Sequence, residues 1–476
     1  MIPLSLAEAA TILGGVLHDA PDPEARITGP VVHDSRRIEP GALFAAIAGE
    51  RVDGHDFAAQ AVADGAAAVL AMRPVGVPAI VVDDTVKALG RLARGVVDRL
   101  PQATVVALTG SAGKTSTKDM IGQLLTRLGP TVFPAGSFNN EIGHPLTALR
   151  ADEQTRHLVM EMGAAHKGDI AYLCGITPPK VSVVLNVGTA HIGEFGGQDA
   201  IAEAKSEIVQ ALPDDGVAIL NADDFRVRAM ADKTRARVVY YGESPEATVR
   251  AEEIALDDKG RPGFTLITPE GRAHVQLKLV GDHQVANALA AATAARELGM
   301  GLAELALGLS EAEALSRWRM EVRERADGVT IVNDAYNANP ASMRAALRSV
   351  AVMARSRPEA HSYAVLGPML ELGDDTMAEH DALGRLVVRL NIGTLVAVGG
   401  REAEWMELGA RNEGSWNEES VQVTDAQAAI DLLRDRLRPG DVVLVKASRG
   451  IGLERVAEAL LADGAGSADT TPGAAR

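Results

Sequence analysis

The chain has 476 residues, 47% of them hydrophobic, and a formal net charge of −17. That length suggests about three domains, and the composition is that of a soluble globular protein. The acidic balance argues against a nucleic-acid partner, which needs a basic stripe to neutralise phosphates, and no run approaches the ~20 apolar residues of a membrane span. Cys174 is the only cysteine, so an intrachain disulfide is excluded and a reducing compartment is expected. It reads as a small buried hydrophobe rather than a nucleophile. Met1 to Glu8 carries an early acid and no basic start, unlike a signal peptide. A cytoplasmic, monomeric protein is the expectation.

In chain order, residues 1–100 alternate short strand-like runs, Ala79–Val82 the clearest, with Ala-rich helical stretches, which suits a small α/β domain. At Pro101 a second region opens. Its first strand, Thr104–Leu108, runs into Thr109-Gly110-Ser111-Ala112-Gly113-Lys114-Thr115 and then a helical pattern. Strand, small-residue turn and helix together aim backbone N–H groups and a helix N-terminus at one anion. Lys114 adds a charge for the outer phosphates and Thr115 a hydroxyl for Mg²⁺. The common phosphate-loop pattern has glycine where Leu108 stands, but the flanking strand and helix support ATP or a close relative as the ligand. Leu158–Met160, Val181–Leu185 and Val217–Leu220 continue as strands between helices, the pattern of a mostly parallel sheet covered on both faces. Residues 247–278 read as an antiparallel excursion and Gln284–Leu298 as a strong helix.

The third region, 315–463, has strands at Val329–Val332, Tyr363–Leu366, Thr394–Val398 and Val442–Val445, again alternating with helices. Asn333-Asp334, Gly367-Pro368 and Gly399-Gly400 follow the first three, at the strand ends where open parallel sheets bind ligands. Residues 464–476 lack apolar periodicity and are expected to be disordered.

Several side chains fit more than one role. Glu161 and His191 follow strands beside the phosphate loop and suit Mg²⁺, yet a helix cap and a loop-carbonyl donor fit equally. By position alone Lys205 is a solvated helix lysine. His283 and Asn287, four apart, share a helix face, for a ligand or for buried packing. The run from Asn333 to Pro340, with three asparagines, Asp334 and Tyr336, is too polar for a mere turn and reads as functional.

Taken in order across nearly the whole chain, Asp34–Arg36, Asp53–Phe57, Thr109–Thr115, Asn139–Gly143, Glu161–Gly163, Thr189–Gly193, Ala204–Ile208, His283 with Asn287, Arg319–Glu321 and the Asp334 loop resemble the Mur ligases. These are ATP-dependent amide-forming enzymes of peptidoglycan precursor synthesis, whose phosphate loop itself reads Thr-Gly-x-x-Gly-Lys-Thr. The resemblance implies a UDP-sugar domain, a central P-loop ATPase domain with a mostly parallel sheet, and a C-terminal Rossmann-like domain for the incoming amine. It implies ATP and Mg²⁺ as cofactors and an acyl-phosphate route. Residues 109–115 would cradle the nucleotide, with Lys114 on the β/γ-phosphates. Thr115, Glu161, His191 and Lys205 would serve the metal, Lys205 matching a lysine that is carbamylated in the family. Asn287 would contact adenine, and Arg319 and Asp334 the phosphate and ribose. Ser35 and Arg36 would grip the UDP-sugar, and Asn139 is placed with the substrate contacts. Tyr336, Asn337 and Asn339, with Gly367–Gly373, look like those of members that attach D-alanyl-D-alanine to a UDP-N-acetylmuramoyl-tripeptide. Two positions depart from the family: Gln284 stands in place of asparagine, and Trp318 in place of the glycine before Arg319. The rivals are another amide ligase of the superfamily and a binding protein whose domains ATP opens and closes. The short junction at Leu315–Arg317 is the expected hinge.

Overall fold

The computed structural model of the chain describes residues 1–49, 51–188 and 195–465. Its centre is a nine-stranded sheet in the order Gly271–Gln276, Pro262–Thr268, Val249–Leu256, Arg237–Gly242, Val217–Asn221, Val181–Val184, Thr104–Thr109, His157–Glu161, Thr131–Val132. The seven strands from Val249–Leu256 to Thr131–Val132 are parallel, and the remaining two are antiparallel hairpin partners. The polar stretch expected as an antiparallel excursion forms that edge.

Period-two patterning explains how both faces are covered. Val105 and Ala107 of the phosphate-loop strand enter a core shared with Leu89, Leu92 and Val96 of the helix Thr85–Val97. Val106 and Leu108 enter the opposite core, under Leu124 of the helix Lys114–Thr126 and the helix Gln284–Glu297. The latter is rich in alanine and buried nearly all round, as an interior helix must be. Because the first core continues from the N-terminal five-stranded sheet into the central one, those two regions are packed as one body.

The C-terminal sheet has six strands in the order Glu321–Glu324, Thr330–Asn333, Val442–Lys446, Ser362–Leu366, Thr394–Val398, Ser420–Val423. All are parallel except the first. Val332, Leu366 and Leu444 face one helical layer, while Ile331, Val365 and Val443 face the other.

Both sheets have the last feature that positions a site. In each, chain order reverses at a middle strand: Thr104–Thr109 lies between Val181–Val184 and His157–Glu161, and Val442–Lys446 lies between Thr330–Asn333 and Ser362–Leu366. Loops leaving such neighbours diverge and open a crevice at the carboxyl ends. At the C-terminus the last helix, Glu454–Ala465, runs past the expected start of disorder at 464; residues 466–476 lie outside the described residues.

Candidate active site

The two crevices face each other across one cleft of about 940 Å³. Gly110–Ser116, Glu161 and Asn186–Gly188 line it from the central sheet; Asp334, Tyr336–Asn339, Leu370–Leu372 and Lys446 with Ser448–Gly450 line it from the C-terminal sheet.

On the central side the phosphate loop is shaped from beneath by Asn186. The Ser111 N–H donates to the Asn186 carbonyl (3.0 Å), the Ala112 N–H to Asn186 Oδ1 (2.9 Å), and Asn186 Nδ2 to the Ala112 carbonyl (3.1 Å). The first turn of the helix Lys114–Thr126 then presents N–H groups that a helix start leaves unpaired. Gly113 has φ +82°, and a Cβ there would lie 2.4 Å from Asn287 Oδ1, so any side chain would be strained and would displace Asn287. Thr109, expected among the nucleotide contacts, lies below the loop: it is fully buried and its hydroxyl donates to the Met162 carbonyl (2.8 Å). Its role is to tie two strand ends.

Glu161 closes its strand, almost fully buried. Its Oε1 accepts from Ser137 Oγ (2.9 Å) and Asn139 Nδ2 (2.7 Å), and the Thr115 hydroxyl donates to Ser137 Oγ (3.3 Å). Its Oε2 has no hydrogen-bond partner. A buried carboxylate oxygen left this way is costly, and a cation could satisfy it; no helix starts at Glu161 for it to cap. Thr115, Ser137 and Glu161 therefore fit a divalent ion that takes few protein ligands and completes its shell from phosphates and water. Among the described residues no group of three or more His, Cys, Asp or Glu is placed to hold a metal ion. His191 lies outside the described residues.

Lys205 overturns the reading of a solvated helix lysine. In the helix Gln198–Gln210 it is buried and lines the cleft. Burial, and secondarily the positive charge of Lys114, push its ammonium down to about 7. Lys114, half-buried, donates to the Gly110 carbonyl (2.7 Å); burial lowers its pKa too, opposed by Glu161. Cys174 is buried and its thiol is raised to about 12, which leaves it inert.

Asn287 and His283 both reach the cleft, from the start of the helix Gln284–Glu297. The departure at Gln284 has a structural use: fully buried, its Oε1 accepts from Asn287 Nδ2 (3.0 Å) and orients that amide.

On the C-terminal side, Asp334 Oδ2 pairs with buried Lys446 Nζ (2.5 Å), which also donates to the Asn337 carbonyl (2.9 Å). Burial lowers the Lys446 pKa and Asp334 opposes it. Asp334 Oδ1 accepts the Met320 N–H (3.0 Å), so both its oxygens are engaged. Asn339 is the N-cap of the helix Pro340–Arg355, its Oδ1 accepting the Ser342 N–H (2.9 Å). The Arg319 guanidinium lies over the Tyr336 ring at 4.0 Å and lines the same cleft as Lys114. Trp318, at the position where the resemblance expects glycine, has φ +59°, a conformation that costs an L-residue roughly 1–2 kcal/mol.

Two expectations fall elsewhere. Ser35 and Arg36 are outside this cleft, on an N-terminal 3-10 turn where exposed Arg36 pairs with Asp34 (2.8 Å). The expected hinge at 315–317 is anchored at Ser316, which is buried, with its N–H donating to Asp119 Oδ2 (3.1 Å), while Gln123 bonds both the N–H and the carbonyl of Glu313. Sequence reasoning assigned no role to Asn186, Ser137 or Lys446; all follow or end parallel strands, the one signal available.

Comparison with known proteins agrees with this geometry. Three family models match in succession: the Mur ligase family catalytic domain over 30–96, the Mur ligase middle domain over 108–295 and the Mur ligase glutamate ligase domain over 318–449. The UDP-N-acetylmuramoyl-tripeptide–D-alanyl-D-alanine ligase of Mycobacterium tuberculosis H37Rv is 49% identical, covering 97% of this chain and 98% of that protein. The Escherichia coli K12 enzyme of the same name is 37% identical over 98% and 100% of the two chains. Among solved structures, MurF from Acinetobacter baumannii superposes with a TM-score of 0.85 at 34% identity over 97% of this chain and 99% of that one. MurF from Thermotoga maritima in complex with ADP gives 0.79 at 30% over 92% and 98%.

Proposed function

The chain belongs to the Mur ligase family, and from that premise we propose that it joins D-alanyl-D-alanine to UDP-N-acetylmuramoyl-tripeptide, converting ATP to ADP and phosphate and yielding the pentapeptide precursor of peptidoglycan. The observation that carries this reading is the one cleft shared by two sheet crevices, one built for phosphate and the other lined by an asparagine-rich loop that carries Tyr336.

A carboxylate is a poor electrophile. ATP supplies the γ-phosphoryl group that turns the tripeptide's terminal carboxylate into an acyl phosphate, and the dipeptide's amine then displaces phosphate through a tetrahedral intermediate. The protein's work is positioning and charge neutralisation. Residues 110–115 cradle the phosphates, and Lys114 from one sheet and Arg319 from the other neutralise oxygens in transfer. Thr115, Ser137 and Glu161 would hold Mg²⁺, with His191, and the ion would offset charge between the phosphates. Asn287, oriented by Gln284, faces the base. Lys205, whose amine is substantially neutral near pH 7, is fit to add to CO₂ with loss of a proton, giving a carbamate that supplies oxygens beside Lys114. Residues 1–100, with Ser35 and Arg36, take the UDP-sugar; 101–314 take ATP; 315–463, through Tyr336, Asn337 and Asn339, take the dipeptide. The enzyme works as a cytoplasmic monomer; no helix among the described residues is long and apolar enough to cross a membrane.

The test is phosphate release with product mass, using UDP-muramoyl-tripeptides that end in lysine or diaminopimelate. Phosphate should appear only with both the tripeptide and D-alanyl-D-alanine, with one amide formed per ATP. Phosphate released without an amide product would favour the nucleotide-driven binding protein instead.

A further inference from the structure

Arg319 stands between two residues in the left-handed region, Trp318 at φ +59° and Met320 at φ +49°. Neither has the short polar side chain that eases this conformation in Asn or Asp, so something else must hold it. Met320 is tied by its N–H to Asp334. Trp318 is tied three ways. Its N–H donates to Glu321 Oε2 (3.2 Å), its carbonyl accepts the Tyr336 N–H (3.2 Å), and its indole carries the Arg449 guanidinium at 4.4 Å and that of Arg317 at 5.3 Å. Arg449 is itself fixed by Glu454 (2.8 Å), and it lies 5.9 Å from the Tyr336 ring whose centroid is 4.0 Å from Arg319. Cations and rings thus alternate from Arg317 through Trp318, Arg449 and Tyr336 to Arg319, and each cation–ring contact is attractive.

We propose that Trp318 is a positioning residue for Arg319: the indole, pinned by Arg449, holds the 318–320 turn left-handed, so that the Arg319 side chain lies on Tyr336 and faces the phosphate loop. Trp318 does not line the cleft and acts only through Arg319. A glycine would allow the same backbone without strain and keep its two backbone hydrogen bonds, but the hold of Arg449 on the indole would be lost. The aromatic side chain exchanges backbone ease for a rigid arginine. Because the turn follows directly on Ser316, which is anchored to the phosphate-loop helix, its rigidity also sets how Arg319 meets a nucleotide held by that helix.

This inference rests on the nucleotide contact assigned to Arg319, and its test needs neither acceptor nor dipeptide. Affinity for a non-hydrolysable ATP analogue with Mg²⁺ is measured by calorimetry for wild type, Trp318→Gly and Trp318→Phe. Binding by the wild type checks the nucleotide reading by itself; the differences among variants test the turn. Trp318→Gly should bind about tenfold more weakly, the size of one misplaced charge-assisted hydrogen bond, and Trp318→Phe, which keeps an aromatic face for Arg449, should recover most of that loss. Wild-type affinity in Trp318→Gly, or equal weakening in both variants, overturns the proposal. Should Trp318→Gly fail to fold, Trp405→Phe/Trp416→Phe leaves Trp318 as the only one of the chain's three tryptophans. Its indole should be immobilised, with an emission anisotropy that the nucleotide analogue leaves unchanged, and a freely rotating indole overturns the proposal equally.

Discussion

At the chain reversal of the central sheet, the loop is made of small residues, and the groups around it have unmet capacity: a helix start with free donors, and Glu161 with one buried oxygen unpartnered. At the chain reversal of the C-terminal sheet the position is the opposite. Asp334 has both oxygens engaged, Lys446 bridges it to Asn337, and Asn339 caps a helix. The first crevice leaves donors and a carboxylate oxygen open to a ligand, whereas the second is already folded against itself, with Arg319 at its edge on the cleft. The same sheet topology therefore serves two ends: one crevice left open to its ligand, and one that presents a rigid surface to it.

The sharpest way to break this contrast is Lys114→Ala, which removes charge from the open crevice while touching little packing. Ligation should fall on the order of a hundred- to a thousand-fold with an unchanged unfolding temperature; full turnover in a folded variant would remove the central crevice from the mechanism. Lys205→Ala should also abolish most activity, and short-chain carboxylates should restore part of it by supplying the missing oxygens. The pH sign follows from the lowered pKa of about 7: below it the ammonium dominates and cannot add to CO₂, above it the free amine can. Enzyme incubated with bicarbonate at pH 8 should therefore be more active, when assayed at one common pH, than enzyme incubated at pH 6. Equal activities would argue against the carbamate.

How much of the contrast was legible in the sequence differs between its halves. The phosphate loop, the strand ends carrying Glu161 and Asp334, and the parallel strands Thr394–Val398 and Val442–Lys446 follow from local pattern, because a parallel strand buried on both faces is a short apolar run. The charged edge strand Glu321–Glu324 and the strand Ser420–Val423 lack that run. The burial of Lys205 was invisible, since a lysine in an amphipathic helix looks solvated until the cleft it faces is known. The engagement of Asp334 was equally hidden, because its partner Lys446 lies 112 residues away in sequence.

The C-terminal half is sharpened by Lys446→Met, which leaves Asp334 buried and uncompensated. Denaturant unfolding should show a loss of about 3–5 kcal/mol, and Asp334→Asn/Lys446→Met should lose less than the sum of the single variants because the two groups are in direct contact. A surface-like loss for Lys446→Met would mean that this loop is not rigidly held. The smallest effect is expected at Gln284→Ala, which deprives the Asn287 amide of its acceptor. The Michaelis constant for ATP should rise by about fivefold, the size of one neutral hydrogen bond of about 1 kcal/mol, with turnover little changed; an unaltered constant would detach Asn287 from the nucleotide.

The most direct measurement is a crystal structure with a non-hydrolysable ATP analogue, Mg²⁺ and the UDP-tripeptide. The account predicts one nucleotide bonded from both sides, its phosphates on residues 110–115 and Lys114, the ion on Glu161, and Arg319 in hydrogen-bonding reach of the γ-phosphate. A fully bound nucleotide held by the central crevice alone, with Arg319 out of reach of its phosphates, would contradict it.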